Sequence, residues 1–219
     1  MATGAELMAD VRRIVREGSA FTDAEILSFF NRCASHVSSL YILPSLDTSS
    51  EVTTSGTPGA TVAMPTDYQR NLYMAIGARG NMLSIIDSTK HIAGIVRGDM
   101  SATGSRVVMV AAVGSVLRSW PTVESTEAIT LFYQKKPDEI TSSGDVSLFS
   151  GSPGEGQQIL VNYAAWKMFE EIEQGGDGAK VDAIYHMGLF DRALADLERW
   201  LKNGSGVSMV GPRFVRSSW

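Results

Sequence analysis

The stretch Gln157-Gln-Ile-Leu-Val-Asn-Tyr-Ala-Ala-Trp-Lys-Met-Phe-Glu-Glu-Ile-Glu-Gln174 decides the fold, because its apolar residues cover most of a helix circumference. Such a helix must be buried on two sides. Gly175-Gly176 ends it, and a second helix is predicted over Ala179–Leu201, closed by Asn203-Gly204. The second helix carries one apolar stripe at steps of four and three residues: Ala183, Met187, Phe190, Leu194, Leu197 and Leu201.

The N-terminal part predicts another pair of helices. The first, over residues 5–17, has apolar residues on one side and arginines on the other. The second begins at Thr22-Asp-Ala-Glu25, a capping box in which the threonine and glutamate side chains satisfy each other's backbone N–H groups. Its buried stripe comprises Ile26, Phe30, Cys33, Val37 and Tyr41, and the helix ends before Pro44.

Short β-type segments lie between the two helix pairs. The clearest is Ala128–Gln134, with alternating apolar residues, and five or six strands are predicted in all. We therefore expect an α+β protein: a four-helix bundle of N- and C-terminal helix pairs, with an inserted small antiparallel β domain and an extended C-terminal tail. The predicted boundaries are 1–44 with 155–203 for the bundle, 45–154 for the β domain and 204–219 for the tail.

The tail combines glycines with apolar residues, which is unusual for a disordered end. This pattern favours an arm that lies on another molecule. Its candidate anchors are Met209, Val210, Arg213, Phe214, Val215, Arg216 and Trp219. The alternative is a disordered end that merely contains aromatic residues.

Composition narrows the function classes. The formal net charge of −5 argues against a general nucleic-acid binder, which needs a surplus of Lys and Arg. The single cysteine, Cys33, cannot form an internal disulfide and falls on a buried stripe, so we expect a reducing, cytosolic compartment during synthesis. Neither a signal peptide nor a membrane-spanning run is recognised, so no membrane partner is expected.

None of the sequence motifs indicates a catalytic, cofactor-binding or metal-binding site. His36, His91 and His186 lie on separate segments without metal-ligand spacing, and Gly151–Gly156 lacks the Lys-Ser/Thr ending of a phosphate loop. We expect no catalytic, cofactor-binding or metal-binding residues. The first two helices and the short turn between them resemble a helix-turn-helix, so a small DNA-binding regulator is a remote alternative. A small enzyme is the other remote alternative. We instead expect the basic side chains of the first helix to pair across a subunit boundary: Arg12, Arg13 and Arg16.

Four sequence motifs, in the same order along the chain, resemble those of the head-to-tail adaptor (connector or head-completion) proteins of tailed bacteriophages. The first is Phe21-Thr-Asp-Ala-Glu-Ile-Leu-Ser-Phe-Phe-Asn-Arg32, similar to the opening of that family. The second is Val62-Ala-Met-Pro-Thr-Asp-Tyr-Gln-Arg70, and the third is Ile129-Thr-Leu-Phe-Tyr-Gln-Lys-Lys-Pro-Asp-Glu-Ile-Thr141. Ile159–Ala165 and Tyr185–Leu201 resemble its closing helices.

The resemblance implies a structural virion protein that forms a ring, usually of twelve copies, beneath the portal after DNA packaging. Such a ring extends the DNA channel without sequence-specific binding and gives a docking platform for tail, nozzle or tail-fibre proteins. The arm would then reach the portal protein or a neighbouring copy. The alternative within the virion is another neck, tail-tube or head-stopper subunit.

Deleting residues 205–219 should leave a folded protein that no longer joins filled heads, because the predicted anchors lie there. Circular dichroism checks the fold, and co-sedimentation with DNA-filled heads checks attachment. Full head binding by the truncated chain would refute the arm.

Overall fold

The computed structural model describes residues 2–16, 20–57, 61–86, 103–123, 125–149, 155–173 and 180–204. The chain divides into two compact units. The helical unit combines Met1–Tyr41 with Asp138–Trp219, and the β unit is Ile42–Pro137. The helical unit is therefore assembled from the two ends of the chain.

Four helices lie among the described residues of the helical unit: α1 Gly4–Ile14, α2 Asp23–Leu40, α3 Glu155–Ile172 and α4 Val181–Gly204. Both N-terminal helices begin with a capping box. The box at Thr22 and Glu25 confirms the sequence prediction, whereas the one at Thr3 and Glu6 was missed.

The predicted four-helix bundle is wrong, although the α+β class is consistent with the structure. Helix α3 lies at the centre and packs against α1, α2 and α4. The helices thus do not form two pairs that cover each other. One reason is length, because the eleven residues of α1 rise only about 16 Å and cannot span a full bundle. The other is that an irregular segment, residues 138–149, also covers the N-terminal helices.

This segment is held to α2 by Asn31. Its side-chain amide donates to the Ile140 carbonyl at 3.0 Å, and its side-chain oxygen accepts from the Ile140 N–H at 2.8 Å. One side chain therefore satisfies both backbone groups of Ile140, as a neighbouring β-strand would.

The same segment closes the start of α1. The N–H groups of Gly4 and Ala5 donate to the carbonyls of Asp145 and Ser143, at 2.9 and 2.8 Å. A Cβ on Gly4 would lie 2.9 Å from the Ser142 carbonyl oxygen, so this position requires glycine. Hydrogen bonds from Thr141 and Ser142 lower the pKa of Asp145 to about 2, which keeps its carboxylate charged.

The β unit contains nine strands among the residues described, more than the five or six predicted. They are β1 Asp47–Thr53, β2 Val62–Ala63, β3 Tyr68–Gly77, β4 Ser84–Ile85, β5 Thr103–Gly104, β6 Met109–Val113, β7 Val116–Trp120, β8 Thr122–Val123 and β9 Ala128–Lys135. A 3-10 turn at Pro44–Leu46 precedes β1.

The strands form a three-stranded sheet in the order β1-β9-β3, a four-stranded sheet β2-β7-β6-β4, and the pair β5-β8. The pairs β4-β6 and β5-β8 are parallel, so the domain is not purely antiparallel as predicted. The predicted strand Ala128–Gln134 is confirmed as β9, the centre of the first sheet.

The sheets share one hydrophobic core. Its buried residues come from strands of all three sheets and from the loops between them: Met64, Ala75, Leu83, Val107, Val110, Leu117, Val123, Ile129, Leu131 and Tyr133. Alternating positions of β9 point into this core, as its sequence pattern requires.

Replacing Asn31 by alanine should lower the free energy of unfolding by about 1–3 kcal/mol, because the Ile140 N–H and carbonyl lose their partner. Urea unfolding followed by circular dichroism measures the change. Ser35→Ala, at an exposed position of the same helix, is the control and should stay within about 0.5 kcal/mol of the parent. Equal stabilities of the two variants would contradict the role of Asn31.

Candidate functional site: surfaces for assembly

Two of the predicted basic residues on α1 meet acids of their own chain. The Arg12 guanidinium donates to the Asp23 carboxylate and, at 3.5 Å, to the Phe21 carbonyl, which joins α1 to the start of α2. Arg13 pairs with Asp10 one turn earlier on the same helix, at 2.9 Å. Both pairs are exposed and so contribute little stability. Their role across a subunit boundary stays a prediction.

The predicted arm lies outside the described residues, which end at Gly204. Its role therefore also stays a prediction. The residues concerned are Met209, Val210, Arg213, Phe214, Val215, Arg216 and Trp219.

Helix α4 exposes large apolar side chains in its first two turns. Val181, Ile184 and Tyr185 are 64%, 60% and 60% exposed. With the spacing i, i+3 and i+4 they lie on one side of the first two turns, which we call the outer face of α4. Large apolar residues grouped in this way mark a surface that contacts another molecule. This face was not predicted from the sequence, although the i, i+3 and i+4 spacing of its apolar residues can be seen there beside the buried stripe.

The buried stripe of α4 also differs from the prediction at one step. His186 is buried, whereas Met187, assigned to the stripe from sequence, is 36% exposed. The His186 ring stacks on Phe169 of α3, with centroids 5.3 Å apart, and its Nδ1 lies 3.4 Å from the side-chain oxygen of Asn162. Burial lowers the pKa of His186, an effect that the nearby Asp182 carboxylate partly opposes.

A groove of about 510 Å³ opens where α1 and α3 end and α4 begins, which we call the end groove. It continues onto the outer face of α4 through Tyr185. The lining combines apolar, aromatic and charged side chains: Ile14, Val15, Arg16, Phe169, Ile172, Glu173, Asp182, Tyr185 and His186. Of the predicted basic residues, only Arg16 lines it.

Glu173 has a structural role in the end groove. Its carboxylate accepts hydrogen bonds from the N–H groups of Asp182 and Ala183, at 3.2 and 3.5 Å, and so caps the start of α4 from the end of α3. The acidic side of the groove is thereby held in place.

An aromatic cluster lies between α3 and α4. Tyr163, Trp166 and Phe190 have ring centroids 5.3–6.0 Å apart, and Lys167 Nζ lies 3.9 Å from the Trp166 centroid. Lys167 also pairs with Glu170 at 2.8 Å. The cation–π contact and the ion pair orient the lysine along the helix, so this cluster is explained by packing.

The described residues contain no group of three or more His, Cys, Asp or Glu side chains able to hold a metal ion. Cys33 is fully buried beside the Ile159 carbonyl, and burial raises the pKa of its thiol, which makes it unreactive. None of the helices in the described ranges is both long and apolar enough to cross a bilayer.

Comparison with known families gives a match to the SU10 adaptor protein family over residues 2–213. The chain belongs to the SU10 adaptor protein family. Among curated proteins no match to the chain is found. The family is one of structural phage adaptor proteins, which makes this protein a virion component.

In this phage adaptor, two of the sequence motifs on which the resemblance rests are in contact, those of residues 62–70 and 129–141. The Tyr133 hydroxyl donates to the Asp67 carboxylate at 2.6 Å, and the Tyr68 and Tyr133 rings lie 5.5 Å apart. Burial and the Asp67 carboxylate raise the pKa of Tyr133 to about 12, so the phenol stays protonated as a donor. These residues therefore hold the β unit together.

The free energy of unfolding of the adaptor should decrease as the pH falls below about 6.5, the ordinary pKa of histidine. Below that pH His186 of the unfolded chain binds a proton, whereas His186 of the folded chain stays neutral because burial lowers its pKa. Stability is thus expected to rise with pH across the window between the lowered pKa and 6.5. Urea unfolding at pH 7.5 and 5.5 measures this. His186→Gln should show a smaller loss, and an identical pH dependence in both proteins would contradict the assignment.

Proposed function

We propose that this protein is the head-to-tail adaptor of a tailed phage. Copies form a ring, with twelve as the expected number, that docks beneath the portal, extends the DNA channel and provides the platform on which tail proteins assemble. It would act in the host cytoplasm during assembly and remain in the neck of the virion. Membership of the SU10 adaptor family over nearly the whole chain is the observation that carries the proposal.

The surface of the helical unit supports a role in assembly. The outer face of α4 exposes three large apolar side chains, and the end groove beside it has mixed apolar and charged walls. Interfaces concentrate their binding energy in such buried aromatic and apolar contacts with a polar rim. These features favour contacts with copies of the chain or with other virion proteins.

The overall charge supports passive contact with DNA. A net charge of −5 gives no surplus of cations to hold a phosphate backbone. Like charge on a channel wall allows the polyanion to slide through, whereas a basic wall would retain it. We therefore expect DNA to pass without sequence-specific binding.

Binding to isolated portal rings tests the proposal. The full-length adaptor should co-sediment with portal rings of its own phage and appear by electron microscopy as an added ring. Tyr185→Ser should weaken the added ring, because it removes a large apolar side chain from the outer face. The matched control, Ala195→Ser, changes an exposed position further along the same helix and should have no effect.

A chain that self-assembles but ignores portal rings would contradict portal docking. That outcome would indicate another neck, tail-tube or head-stopper subunit, which uses the same kind of surface for a different partner.

A further inference from the structure

We propose that the end groove of one copy receives the segment Arg213-Phe214-Val215-Arg216 of a second copy. This inference rests on the proposed assembly of copies, and it names the surface and the segment that would join them.

The apolar lining fits an aromatic side chain. Three apolar residues of the lining are only partly buried, Phe169 and Ile172 of α3 and Ile14 of α1, and Tyr185 has 60% of its surface exposed. A volume of about 510 Å³ is within the range of sites that enclose small organic groups. A phenyl ring bound there would bury apolar surface of these partly exposed side chains.

The charge of the groove fits a basic segment. Glu173 and Asp182 supply two carboxylates, against one guanidinium from Arg16. Helices α1 and α3 both end at the groove, so their carbonyl ends add negative potential, while α4 alone begins there. Residues 205–219 contain two arginines and no acidic residue. Arginines on either side of Phe214 therefore complement the groove while the ring fills it.

Chain length favours the groove of a second copy over a chain's own groove. Helix α4 rises about 29 Å between Tyr185 and Gly204, at about 1.5 Å per residue. The ten residues from Gly204 to Phe214 reach at most about 33–36 Å when fully extended. Returning along its own helix would leave only a few ångströms to reverse direction and enter the groove. A neighbouring copy imposes no such limit.

Thiol cross-linking between two full-length variants tests the inference. One variant carries Tyr185→Cys and the other Val215→Cys, which keeps the anchor Phe214, and a short bismaleimide joins thiols that come close. The native Cys33 is 0% exposed, so the background is low. We expect a covalent dimer when the two variants are mixed and little dimer from either variant alone. Replacing Tyr185→Cys by Ala195→Cys, an exposed position outside the groove, should abolish the mixed dimer.

Several outcomes would overturn the inference. Equal dimer yields with Ala195→Cys would mean that the contact is not specific to the groove. Tyr185→Cys cross-linking to itself would mean that two outer faces meet. A chain carrying both substitutions that closes only on itself would assign the segment to its own groove.

A second measurement uses no introduced cysteine. Phe214→Ala should weaken self-association by about tenfold or more in sedimentation experiments, because an anchor side chain is lost. Val207→Ala, earlier in the same region, should leave it unchanged. Equal self-association of these variants would contradict the role of Phe214.

The portal assay separates this inference from the proposed function. An adaptor that binds portal rings but gives no mixed dimer refutes only the groove contact. A mixed dimer without portal binding refutes only portal docking.

Discussion

The helical unit depends on the burial of α3 around most of its circumference. Ile159, Leu160, Ala164, Ala165 and Met168 are all 0% exposed, and they occupy different sides of the helix. Leaving such a helix in water would cost roughly 1.5–3 kcal/mol for each large apolar side chain. Its cover must come from several directions, so the two ends of the chain are brought together around it. Helices α1, α2 and α4 all pack on α3 and together provide that cover.

Several elements of this arrangement can be predicted from the sequence. The capping box at Thr22 and the alternation in Ala128–Gln134 predicted local structure correctly, because those signals depend on neighbouring residues. The prediction of a four-helix bundle was wrong because an apolar stripe shows that one face of a helix is buried but not which element of the protein covers it. Part of the cover is the segment 138–149, which has no regular periodicity and is held by Asn31. That residue reads, in sequence, as an ordinary polar position on a helix.

The same limit applies to the candidate surfaces. Arg16 was among the predicted contact residues and does line the end groove, but the walls opposite it come from α3 and α4. The outer face of α4 was overlooked because two apolar stripes share one helix, and the buried one passes through His186 instead of Met187. A histidine is buried there because Phe169 and Asn162 accommodate its ring, and neither partner is adjacent to it in sequence.

The division of the chain into units has a consequence for biosynthesis. The β unit is continuous in sequence, so all of its residues are synthesised before α3. It can fold while translation continues, since domains generally fold as units during synthesis. Helices α1 and α2, although made first, have no central helix to pack on until later, and their apolar stripes stay exposed meanwhile. The first residues synthesised are thus among the last to reach their native environment, and a chaperone that holds nascent apolar helices would act on this end.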